Sequence, residues 1–133
     1  TSRKNKKITK DLFEIIGNTI WIKKESELDK ITAISGSGPA YYFIFIEYLE
    51  SIARELGLTS INAKKLVYQT ALGSIELLVK DKRSAKQLKE SIAIKGGTTE
   101  AAINIFEKKS QFKNIIRNAI KAAYCRSIKL GKN

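Results

Sequence analysis

The segment from Pro39 to Leu56 constrains this chain more than any other. Its polar residues, Glu47, Glu50, Ser51, Arg54 and Glu55, fall at the spacing of one narrow helical stripe, and everything else on it is apolar. Tyr41, Tyr42, Phe43, Ile44, Phe45 and Ile46 surround the first turns completely. A small monomer rarely buries a helix that is apolar all round, so this one is expected in the middle of an assembly, with a homodimer the economical choice. Ser37 or Gly38 as cap, with Pro39 at the first helical position, sets its start, and Gly57 its end.

The rest of the chain follows helical rules. Thr59 or Ser60 caps a helix to about Lys80 whose middle, Ala71, Gly73 and Ser74, would let another helix come close. Ser84-Ala85-Lys86-Gln87 reads as a capping box opening a short helix to about Ile92. Helices from Glu100 to about Lys108 and from Ser110 to about Lys129 complete an all-α domain from Pro39 onward, with Glu25 to Lys30 a polar linker or helical turn. Before it, Lys10 to Ile16 suits a short helix stopped at Gly17-Asn18, and Thr19 to Ile22 reads as a short strand. That strand finds no partner strand later in the chain, and a lone strand is unstable.

Composition excludes several functions. With no histidine and one cysteine among 133 residues, a Cys-His catalytic pair is impossible. Metal ligation would need an oxygen cluster that is absent, so no metal is expected. Cys125 lacks an internal disulfide partner, which favours a reducing compartment. The net charge of +12 comes largely from lysines spread over the whole chain, the pattern of a solvated surface and not of a nucleic-acid interface. The longest strongly apolar run, Ala40 to Ile46, is far short of the roughly 20 residues of a membrane span. No secretion signal is visible, and a cytoplasmic location is expected. The chain opens on Thr1 and not Met, which leads to the expectation of a piece of a longer polypeptide.

Two glycine motifs could carry chemistry. Gly36-Ser37-Gly38 fails as a dinucleotide fingerprint, because Tyr41 holds the third glycine position and Pro39 removes a backbone donor. Its structural reading is a tight turn capping a buried helix. Gly96-Gly97-Thr98-Thr99 is more informative: two glycines lie directly ahead of a helix N-terminus, where unpaired amides and the helix dipole attract anions such as carboxylates. One threonine is expected to cap the helix and the other to be free for a ligand. The plain alternative is a flexible turn with an ordinary threonine cap.

Taken in order, Ser35-Gly36-Ser37-Gly38-Pro39-Ala40-Tyr41, Leu56-Gly57-Leu58, Gln69-Thr70-Ala71-Leu72-Gly73 and Gly96-Gly97-Thr98-Thr99 resemble the C-terminal domain of pyrroline-5-carboxylate reductases. The likeness continues through Phe112 and Ala122-Ala123-Tyr124-Cys125-Arg126-Ser127. It implies an enzyme that moves hydride from NADPH or NADH to the imine carbon of 1-pyrroline-5-carboxylate, giving L-proline. It implies an interleaved homodimer, alone or in a ring of dimers, with residues 25–133 forming the dimerisation and substrate-binding domain. Residues 1–24 would be the end of a Rossmann domain that holds the cofactor, so that this chain alone binds none and is inactive. By position, Thr99 corresponds to the threonine that hydrogen-bonds the ring nitrogen, polarising the imine and helping to protonate it. Gly96, Gly97 and Thr98, with Ile94 and Lys95 ahead of them, correspond to the loop that holds the substrate carboxylate, and Ser37 and Pro39 lie toward the nicotinamide. Ile94-Lys95 stands where the family usually has Ser-Pro, and Lys82 where some members carry glutamate. A non-catalytic helical scaffold descended from such an enzyme is the alternative.

Overall fold

A computed structural model describes residues 2–131, and these are mostly helical, with no strand among them. Helix α1 covers Arg3–Phe13, α2 Leu28–Ile31, α3 Gly38–Glu55, α4 Ser60–Lys80, α5 Ala85–Ile92, α6 Thr98–Glu107 and α7 Gln111–Leu130. A 3-10 turn, Glu25–Glu27, leads into α2, and a π-helical turn, Thr32–Gly36, leads out of it.

Local chemistry explains most boundaries. The Ser84 hydroxyl accepts from the Gln87 amide while the Gln87 side chain accepts from the Ser84 amide, which is the expected capping box. Thr59 caps α4 by accepting from the Asn62 amide at 3.2 Å. Helix α3 ends in paired bonds, Gly57 N–H to the Arg54 carbonyl and Leu58 N–H to the Ala53 carbonyl. That closure puts the residue after the helix at positive φ, and Gly57, at φ +95°, takes it without steric cost.

Three expectations need correction. Thr19 to Ile22 is not a strand but open chain, because no second strand is there to take its backbone hydrogen bonds. Helix α1 begins at Arg3, where the Ser2 hydroxyl accepts from the Asn5 amide, and ends at Phe13, before Ile15 and Ile16. Helix α6 starts at Thr98 with Gly97 at its cap position, so neither Thr98 nor Thr99 caps it.

Helix α3 packs on α4 as a hairpin, α6 packs on α7, and α7 runs back across α2 and the π-turn. The Ser127 hydroxyl on α7 lies 2.7 Å from the Asp29 carboxylate on α2, and the Tyr41 hydroxyl donates to the Ala33 carbonyl inside the π-turn at 2.9 Å. Phe112 of α7 meets Phe45 of α3 and Phe106 of α6, with ring centroids 6.4 and 5.2 Å away. A cavity of about 590 Å³ opens beside these rings, rimmed by the Lys89–Glu107 ion pair between α5 and α6.

The interior is small. Among the described residues the buried apolar side chains are Ala33, Ala63, Val67 and Leu88, whereas Tyr42 and Phe43 of α3 are 62% and 67% exposed. The chain exposes 11627 Å² in total. A compact monomer of 14.9 kDa would expose roughly 7,000 Å². The difference, about 4,600 Å² per chain, exceeds the roughly 1,000–2,500 Å² per partner that an obligate dimer covers, so it leaves ample surface for a second copy and for further contacts. The small-residue patch of α4 fits the same picture: no atom lies within 4 Å of where a Cβ on Gly73 would stand.

Candidate functional site

The loop from Ile94 to Thr99 joins α5 to α6, and its shape follows from its two glycines. Gly96 has φ +76°, a left-handed conformation that strains any residue with a side chain. At Gly97 an added Cβ would stand 2.9 Å from the Ile94 carbonyl oxygen, so the backbone folds back on itself more tightly than an alanine permits.

Its polar groups divide into occupied and free. The Gly96 N–H donates to the Glu100 carboxylate at 2.8 Å, and the Gly97 N–H to the Ile94 carbonyl at 2.9 Å. The first amide to enter the regular helical ladder is that of Ala101, bonded to the Gly97 carbonyl. The amides of Thr98, Thr99 and Glu100 therefore have no acceptor among the described residues. Neither threonine hydroxyl is engaged there, with Thr99 half-buried and Thr98 exposed. Three free N–H groups at the positive end of a 10-residue helix, next to a free hydroxyl, are an arrangement that can accept an anion such as a carboxylate.

Ile94 and Lys95 are exposed at the mouth of the loop, and no ion pair holds Lys95 among the described residues. Ser37 takes the cap position of α3 without a side-chain bond and is half-buried; Pro39 sits in the first turn, exposed. No hydrogen bond among the described residues joins the Ser37–Pro39 turn to the Ile94–Thr99 loop. Lys82 lies between α4 and α5 beside a tight Asp81–Arg83 pair, whose closest approach is 2.7 Å. The Arg83 guanidinium and amide hold the Asp81 carboxyl down at about 2.

Sequence reasoning missed Glu100 as part of this loop. The signal was present: an acid three residues after the cap reaches back to amides ahead of the helix. Among the described residues no group of acids, cysteines or histidines could hold a metal ion, and no helix is long and apolar enough to cross a membrane.

Comparison with known proteins bears on this geometry. Over 121 residues the chain is 34% identical to a pyrroline-5-carboxylate reductase of Pseudomonas aeruginosa, covering 91% of this chain and 44% of the relative. It is 39% identical over 123 residues to one of Synechocystis, covering 92% of this chain and 45% of that one. The chain thus spans about half the length of the curated relatives it matches. A solved pyrroline-5-carboxylate reductase from Coxiella burnetii superimposes with a TM-score of 0.92 at 35% identity, over 98% of this chain and 48% of that one. A Plasmodium falciparum pyrroline carboxylate reductase solved with NADP bound gives 0.87 at 39% identity, over 98% and 52%. Residues 25–130 match the family model for pyrroline-5-carboxylate reductase dimerisation, and the chain belongs to that family.

Proposed function

We propose that this chain is the dimerisation and substrate-binding part of a reductase that converts 1-pyrroline-5-carboxylate to L-proline with NADPH or NADH. The observation that carries the reading is the Ile94–Thr99 loop, which lies in a region matched to the family and ends in free amides beside the Thr99 hydroxyl. The amides of Thr98 and Thr99 take the substrate carboxylate, and the Thr99 hydroxyl hydrogen-bonds the ring nitrogen, holding the imine polarised and oriented. The nicotinamide cofactor supplies the hydride when bound. Among the described residues there is no glycine-rich strand-turn-helix to hold the cofactor's phosphates, and that task falls to a nucleotide-binding domain largely outside them. Residues 1–24 are the end of that domain, a reading supported by the open chain at Ile20 and Trp21, 79% and 52% exposed. Ser37 and Pro39 face the nicotinamide end.

Two copies interleave to cover the aromatic face of α3 and the Gly73 patch of α4, and the second copy closes the site. Ile94-Lys95, in place of the usual Ser-Pro, favours a second reading, a helical scaffold without catalysis. Joining this chain to the nucleotide-binding half of the Pseudomonas aeruginosa reductase separates the two. Substrate-dependent NADPH oxidation that falls by at least tenfold in Thr99→Ala supports the reductase; a folded, dimeric chimera that oxidises no NADPH overturns it.

A further inference from the structure

The geometry points to Glu100 as a positioning residue that decides which amides of the loop are left for a ligand's carboxylate. This inference rests on the substrate-loop reading above and deepens it. The Glu100 carboxylate reaches back past the cap residue to the Gly96 N–H, 2.8 Å away, closing a ring between the first turn of α6 and the loop before it. That bond fixes Gly96 at φ +76°, the conformation that aims the chain into the helix. It also uses up one donor, and the Ile94 carbonyl uses the next, at Gly97.

A ligand carboxylate arriving at Gly96 would meet a donor whose acceptor is already in place. At Thr98 and Thr99 it meets amides without acceptors. Glu100 thereby directs a small imino or amino acid so that its carboxylate sits over the helix axis and its ring nitrogen falls next to the Thr99 hydroxyl. A ligand lacking the carboxylate gains nothing from this arrangement.

The test uses the whole chain labelled with nitrogen-15, followed by amide exchange and by titration with L-proline, with pyrrolidine as the probe that lacks a carboxylate. In the native chain the Gly96 amide is protected from exchange, and L-proline, not pyrrolidine, shifts Thr98 and Thr99 while leaving Gly96 in place. Glu100→Ala speeds Gly96 exchange and weakens L-proline binding, each by about tenfold, and Gly96 joins the shifting set. Glu100→Gln keeps an oxygen acceptor and restores both protection and affinity, a rescue that general loosening of the helix would not give. The inference is overturned if Gly96 exchanges as fast in the native chain as in Glu100→Ala, if L-proline shifts Gly96 most in the native chain, or if Glu100→Gln behaves like Glu100→Ala. Protected Gly96 with no L-proline shifts anywhere overturns the substrate-loop reading and the steering role together. Because exchange is read without ligand, the two failures are told apart.

Discussion

The Ser127 hydroxyl donates to the Asp29 carboxylate at 2.7 Å, joining residues 98 positions apart in the chain. It is the bond that pins the last helix onto the first turn of the helical domain, next to the π-turn that carries Ser35 and Gly36 toward α3. A half-buried hydrogen bond to a charged acceptor contributes more than a neutral one. Ser127→Ala should therefore lower stability by about 1–2 kcal/mol. Urea unfolding at fixed protein concentration checks it, and an unchanged midpoint would show that the bond contributes nothing.

The open space around Gly73 makes opposite predictions for a monomer and a dimer. In an isolated chain a Cβ at Gly73 has open space around it, and Gly73→Leu should stabilise α4 by about 1 kcal/mol, because glycine is a poor helix former. If a second copy packs its own helix there, the same substitution forces the copies apart. We expect the dimer outcome: a lower thermal midpoint and, by sedimentation at micromolar concentration, loss of the native dimer.

Neither glycine of the Ile94–Thr99 loop should tolerate alanine, and for different reasons. Gly96→Ala places a side chain at φ +76°, which costs about 1–2 kcal/mol. Gly97→Ala keeps an ordinary φ but drives a Cβ to 2.9 Å from the Ile94 carbonyl, so the loop must open and its Gly97 N–H bond is lost. Thermal unfolding with L-proline titration should show weakened ligand binding in both, and native-like binding in either would refute this account of the loop.

The Asp81–Arg83 pair sets a pH window. Its depressed carboxyl, about 2 against an ordinary 3.8, means that the pair's contribution is present in full above pH 3.8 and is lost as pH falls through about 2. Arg83→Ala should return the Asp81 midpoint to its ordinary range, as read by carboxyl carbon NMR. A midpoint that does not move would assign the depression to some other group.

Much of this architecture was legible from short-range signals. The Ser84–Gln87 capping box, the Thr59 cap and the Gly57 stop each depend on residues within a few positions of one another, and each stands as expected. Reading the α6 start failed because two threonines after two glycines satisfy the rule for a capped helix equally well. Only the closure of Gly97 onto Ile94, with Glu100 taking Gly96, decided that the helix would begin at Thr98. The strand at Thr19 to Ile22 failed for a related reason: β-branched and aromatic residues favour an extended chain, but a strand also needs a neighbour.

The sequence by itself determined the helical class, the order of the elements and the excess of apolar surface on α3, because period, caps and composition act locally or by count. It also carried the loop whose residues match the family. What only the tertiary structure decided is which groups remain free once the chain has folded. The amides of Thr98 and Thr99 are open because they precede the first bond of the helical ladder and no side chain among the described residues accepts from them, and Phe43 and Gly73 are bare because no other part of the described chain packs over them. A hydrogen-bond donor can serve one strong acceptor and a surface can be covered once, so these assignments follow from geometry that no single stretch of the chain contains.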